Sequence, residues 1–188
     1  MRLALVLVVL AVVAMLVASR LRAAARAIPA QPPLQLDRAN REVNFTATVQ
    51  AAAESLDHVV VSKDSAQAAS ALFVSDSTDE AVLAAFAALE PGHDAGGEAV
   101  DLLVQWAGSG GRHSMADMLA LAHPRSPRLD FRLPGNARLD ASDAGCIVRV
   151  ASSSHPNIQG TVANSIADGL PRPGTAVVLT LKSRMEEA

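Results

Sequence analysis

Residues 43–50, VNFTATVQ, alternate strictly between apolar and polar side chains. Val43, Phe45, Ala47 and Val49 fall on one face, which predicts a half-buried strand of an antiparallel sheet. After a short connection, Val59, Val60 and Val61 form a second, β-branched run. Ser62, Lys63, Asp64 and Ser65 break it with turn chemistry, and Ala71, Leu72, Phe73 and Val74 form a third run. The second and third runs are close enough to pair as a hairpin. Ser77-Thr78-Asp79-Glu80 then reads as a capping box, with the Ser77 hydroxyl as cap and Glu80 reaching back. Val82, Leu83, Phe86 and Leu89 follow on one helical face, and Pro91-Gly92 marks the stop.

The later chain repeats this grammar in shorter pieces. VDLLVQW at 100–106 predicts a strand, and Gly108-Ser109-Gly110-Gly111 a turn. Ser114 is placed to cap a second helix with Met115, Met118, Leu119 and Ala122 inward and Pro124 as its end. Leu129, Phe131 and Leu133 alternate with Arg128, Asp130 and Arg132. GCIVRV at 145–150 predicts another strand, and residues 158–163 a short one. Val177, Leu179 and Leu181 alternate in the last strand, before a charged tail. Seven or eight short strands and two helices in irregular order exclude a doubly wound parallel fold. The expected class is α+β, a mainly antiparallel sheet of short strands with two helices, preceded by an N-terminal hydrophobic helix.

That leading segment is LALVLVVLAVVAMLVA, residues 3–18. As a helix it would span roughly 24 Å, short of the roughly 30 Å hydrocarbon core. It is also longer than the typical signal-peptide apolar region. Two readings stay open: a cleaved signal ending near Val17-Ala18-Ser19, or an uncleaved anchor with Arg2 and Arg20 at its ends. The anchor is preferred. Arg20, Arg22 and Arg26 follow the segment and resist translocation. Residues 1–22 are therefore read as signal anchor or signal peptide. Residues 23–40, broken by Pro29, Pro32 and Pro33, are read as a Pro/Ala-rich linker. Residues 41–184 are read as a single domain.

Composition narrows the function classes. The 188 residues carry a formal charge of −3, and no Lys/Arg run follows the leader, so nucleic-acid binding lacks its footprint. One Trp, four Phe and no Tyr leave few stacking platforms for bases or sugars. A single Cys excludes an internal disulfide and any cysteine-based zinc or iron–sulfur spacing.

Candidate chemistry is sparse. Ser152, Ser153, Ser154 and His155, with Asp140 or Asp143 as orienter, carry the elements of a small hydrolase without a G-x-S-x-G elbow. His58, His93, His113, His123 and His155 show no H-x-x-x-H or H-E-x-x-H spacing, although His113 and Asp117 lie four apart. Cys146 alternates with Val148 and Val150 as a small core residue. The 108–111 turn lacks the lysine of a phosphate loop. Asn44-Phe45-Thr46 matches a glycosylation acceptor but sits in a strand. Trp106 is expected in the core, or at a strand end as a partner anchor. No residue is assigned as catalytic, cofactor-binding or metal-ligating, and no cofactor is expected.

The order of elements resembles the YdjY-type domain, an uncharacterised bacterial family. The resemblance runs from Arg41 to Leu181 through LFVSD, STDEAVLAAFAALE, VDLLVQW, SMADML, DFRLPG, DAGCIVRVASSSHPNI and PRPGTAVVLTL. Where the family's second strand often opens with a Lys or His and a Glu, this chain has Gln67-Ala68-Ala69-Ser70, so no role passes to that position. Iron–sulfur cysteine motifs of some relatives are not matched here. The resemblance implies a cell-envelope location and no established activity. The expected function is a membrane-tethered or exported, non-enzymatic binding module whose partner is another envelope protein. The alternatives are a small hydrolase using Ser152, Ser153, Ser154 and His155, or a metal- or redox-associated accessory protein.

Overall fold

A computed structural model describes residues 34–50, 58–89, 97–122, 130–134, 144–150 and 169–184, with side chains at 119–122 outside the description. Its central strand is β2 (Glu42–Val49). Val43, Phe45, Ala47 and Val49 are all buried, as the alternation predicts. One edge of β2 pairs along its length with β9 (Ala176–Ser183), Val43 opposite Leu181 and Phe45 opposite Leu179. The other edge is shared. β1 (Leu34–Asp37) pairs with its first half, and β4 (Phe73–Ser75) with its second. β1 lies inside the segment read from its prolines as linker.

The pairings then return on themselves. β4 pairs with β3 (His58–Ser62), β3 with β8 (Cys146–Val150), and β8 with β7 (Phe131–Arg132). β7 pairs with β5 (Ala99–Trp106), which runs beside β9 over seven residue pairs and so reaches β2 again. Seven strands therefore form a closed hydrogen-bonded circuit. β1 and the two-residue β6 (His113–Ser114, on β5) are attached outside it. Closure leaves the circuit strands without a continuous open edge.

The expected β3–β4 hairpin does not form, and the sheet is mixed. β3 and β4 are neighbours but parallel, Val60 opposite Phe73 and Ser62 opposite Ser75. A hairpin would need a reversal within residues 63–72. That stretch instead winds through successive turns, with amides of Ser65, Ala68 and Ser70 bonded to the carbonyls of Ser62, Ser65 and Gln67. The chain thus arrives at the start of β4 beside the start of β3. The Gln67–Ser70 stretch belongs to this connection and does not open the strand.

Helix α1 (Asp79–Ala87) also differs at its start. Its N-cap is Thr78, whose hydroxyl accepts from the Ala81 amide at 3.2 Å. Ser77, expected as cap, is buried, and its amide is bonded to the Ser75 hydroxyl. Asp79 and Glu80 lie in the first turn, at the positive end of the helix dipole. α1 touches β1, β2 and β8, so it bridges strands that β4 and β3 separate in the circuit. Val82 and Phe86 enter the core, each burial contributing roughly 1.5–3 kcal/mol. Leu83 and Leu89 pack at its margin.

Helix α2 (Met115–Ala122) lies against β5 and β6. Ser114 caps it as expected, its hydroxyl accepting from the Asp117 amide at 3.3 Å. Met115 is buried, and Met118 packs at the core margin. Phe45, Phe73, Phe131, Leu102, Ile147 and Leu179 fill the interior with less than 2 % exposure each. The outward-facing Val178 and Thr180 of β9 are buried too, which strict alternation did not predict. The predicted strand at 158–163, the leader and the Pro91-Gly92 stop lie outside the described residues.

Candidate functional site

Polar side chains converge where β9 ends beside the starts of β2 and β5. The register sets Glu42, Lys182 and Asp101 abreast across these three strands. One residue on, the Ser183 hydroxyl donates to Glu98 at 2.5 Å and accepts from the Arg41 guanidinium at 3.3 Å. Arg41 turns the chain from β1 into β2 with φ of 56°, a left-handed conformation uncommon for a non-glycine residue. Its carbonyl also accepts from the Ser183 amide.

Arg184 completes the cluster. Its Nε donates to Asp101 at 2.7 Å and its Nη1 to Asp130 at 2.6 Å. One cation thereby ties β9, β5 and the residue preceding β7. Burial works to lower the Arg184 pKa. The bonds to Asp130 and Asp101 outweigh it, and the net shift is upward. Among the described residues, its buried Nη2 has no hydrogen-bond partner. Nearby, Arg112 leaves the turn before β6 and holds the buried Glu42 carboxylate at 2.6 Å. Chemically this is a clasp. The Ser183 hydroxyl both donates to a carboxylate and accepts from a guanidinium, so its proton and one of its two lone pairs are engaged within the protein.

The opposite end of β5 carries an aromatic pair. Trp106 is half-buried at the core margin, and its ring stacks on His113 with centroids 4.8 Å apart and planes 28° apart. His113 Nε2 lies 3.1 Å from the Ser109 carbonyl. Residues 108–111 form the expected turn, braced by the Ser109 hydroxyl donating to the Gly111 carbonyl at 2.7 Å.

Of the residues weighed for chemistry, Ser152, Ser153, Ser154, His155, Asp140, Asp143, His93 and His123 lie outside the described residues. His58 stands on β3 opposite Arg149, and His113 on β6, so these two histidines are on strands that do not pair. Among the described residues, no three of His, Cys, Asp or Glu are grouped to hold a metal. Cys146 is buried opposite Val61, as a small core residue would be. Asn44 accepts from the Thr180 hydroxyl at 2.6 Å across the sheet. The clasp itself was missed in the sequence, where Arg184 read only as part of a charged tail. Its signal was a set of charges at strand ends, and only the register shows which of them meet.

Comparison with known proteins gives one result. The family model of the YdjY domain matches residues 34–182. No curated protein and no solved structure matches the chain. The matched span begins at the first residue of β1 and ends one residue short of Ser183.

Proposed function

The chain belongs to the YdjY domain family, and from that premise we propose a non-enzymatic binding module of the cell envelope, tethered through its N-terminal apolar segment. The observation that carries this reading is the succession along the chain. Sixteen apolar or small residues are followed by a proline-broken stretch and then by the folded domain. No helix among the described residues is long and apolar enough to cross a membrane, and the leader lies outside them. Two features of the domain support a binding role. Its interior is occupied by its own aromatic and aliphatic side chains. The carboxylates where β5 and β9 meet are engaged by its own arginines. Recognition then falls to the outer surface, and the partner proposed is another envelope protein.

The test is fractionation and cross-linking of the full chain in a bacterial host. The full chain is expected in the membrane fraction, resistant to high-salt extraction. A carboxy-terminal alkaline phosphatase fusion is expected to be active, which requires an extracytoplasmic location. Cross-linking before lysis should trap a discrete adduct with an envelope protein. Recovery of the full chain in the soluble cytoplasmic fraction would reject the tether. An active fusion with no adduct at any cross-linker length would reject the binding role.

A further inference from the structure

β1 stands apart from the closed circuit. It pairs with the first half of β2 and, among the described residues, with no other strand, so it ends the strand order. The register runs from Leu34 opposite Phe45 to Asp37 opposite Glu42 without a bulge. In such a pair, alternate residues turn their N–H and C=O away from the neighbouring strand. The outer edge of β1 therefore presents a short row of backbone donors and acceptors. Among the described residues, no turn or loop backbone bonds to it. Sheet edges are ordinarily blunted by a lysine, a proline or a bulge. Leu34-Gln35-Leu36-Asp37 contains none of these. Leu36 is also the one large hydrophobic side chain exposed among the described residues, at 37 %. Leu34 and Leu36 stand opposite the buried Phe45 and Val43, so one face of this edge is apolar. Helix α1 touches β1, and its part-buried Leu83 shares the core margin with Leu34.

We infer that β1 takes up an extended segment of the partner protein as an added strand. The inference rests on the binding role proposed above and names the surface that performs it. The backbone of the edge specifies its occupant, because another extended chain supplies acceptors and donors at strand spacing and a lipid or small ion does not. Side chains of the added strand fall on alternate faces. Those on the face of Leu34 and Leu36 meet apolar surface, so the segment recognised alternates apolar with polar residues. Pro33, which has no N–H, and the Asp37–Asn40 turn bound the edge on either side, so the contact is short.

The test is an amide NMR titration of the full chain in neutral detergent. The probes are capped pentapeptides in which valine, leucine or phenylalanine alternates with threonine, and the same peptides N-methylated throughout. Saturable shifts are expected at residues 34–37, with slowed exchange of the outward amides, and none from the N-methylated set. Leu36→Lys places a charge on the edge and should weaken binding about tenfold, the effect of losing one leucine contact. The β2 resonances should stay in place in that variant, which shows that the sheet is intact. No saturable shift with any peptide, or equal affinity in Leu36→Lys, would overturn the inference. In cells, the cross-linked envelope adduct should likewise be lost with Leu36→Lys. An adduct that persists in the variant would overturn the edge as the surface and leave the binding role standing, whereas no adduct in wild type would remove the binding role itself. An adduct of twice the chain's own mass would replace the proposed partner with a second copy.

Discussion

Gly145 stands so close to Ser62 that a Cβ on it would lie 2.7 Å from the Ser62 hydroxyl oxygen. It would also lie 2.8 Å from the Ser65 Cβ, and the backbone φ is +79°. The approach is fixed by the Ser62 amide donating to the Gly145 carbonyl at 2.7 Å, where β8 meets β3. Gly145→Ala is expected to cost about 2–4 kcal/mol, from the left-handed backbone and the overpacking together. Urea unfolding measures it. An effect below about 1 kcal/mol would mean that the contact relaxes freely.

Arg184→Gln should cost about 1 kcal/mol, since both of its ion pairs are partly exposed. The loss should shrink as salt is raised from dilute to molar concentration, because screening weakens the wild-type pairs. Unfolding curves of the two proteins at several salt concentrations test this. A loss independent of salt would place the effect in packing of the side-chain stem.

Thr78→Ala should lower stability by about 1 kcal/mol through loss of the α1 cap, and Thr78→Ser should recover most of it. Thermal melts followed by circular dichroism give the comparison. Equal losses in both variants would argue against capping as the cause.

Trp106 is the only tryptophan, so intrinsic fluorescence reports on its stack with His113. His113→Ala should uncover one face of the indole, moving its emission to longer wavelength and raising its quenching by acrylamide, while His113→Phe keeps a stacked ring and should change both little. Unchanged emission and quenching in His113→Ala would mean that the imidazole does not shield the indole.

Asp37 accepts from the Asn40 side-chain amide at 2.8 Å and from its backbone amide at 3.1 Å, within the β1–β2 turn. These bonds, the side-chain one foremost, hold the Asp37 carboxyl below its usual pKa. The folded turn thus favours the ionised form. Its contribution is complete above the ordinary carboxylate range and is lost as pH falls through the lowered value. An NMR titration of the Asn40 amides should show that transition, and Asp37→Asn should flatten it.

Much of the fold was legible because alternation records which face of a strand is buried. Val43, Phe45, Ala47 and Val49 on β2, and Val177, Leu179 and Leu181 on β9, were all placed inward and all are buried. Alternation carries no information about pairing direction. Runs as short as Val59-Val60-Val61 and Phe73-Val74 read alike whether parallel or antiparallel, and the turns between them decide. β1 was hidden by Pro32 and Pro33 just before it, although Leu34-Gln35-Leu36 ahead of an Asp37–Asn40 turn was a hairpin signal. The clasp was illegible for a different reason. Arg184 and Asp101 become neighbours only when strands far apart in the chain come into register.

β9 is the last described strand of the chain, yet it lies between β2 and β5 and completes the circuit. During synthesis, β2 is finished more than a hundred residues before its partner exists. Until residues 176–183 leave the ribosome, two long strand edges stay open and the interior stays unsealed. Closure of the circuit therefore waits for a contact between β2 and the last described strand, and such distant pairings make for slow folding. A chaperone that shields the edge of β2 in that interval would protect the nascent chain from pairing with a neighbour.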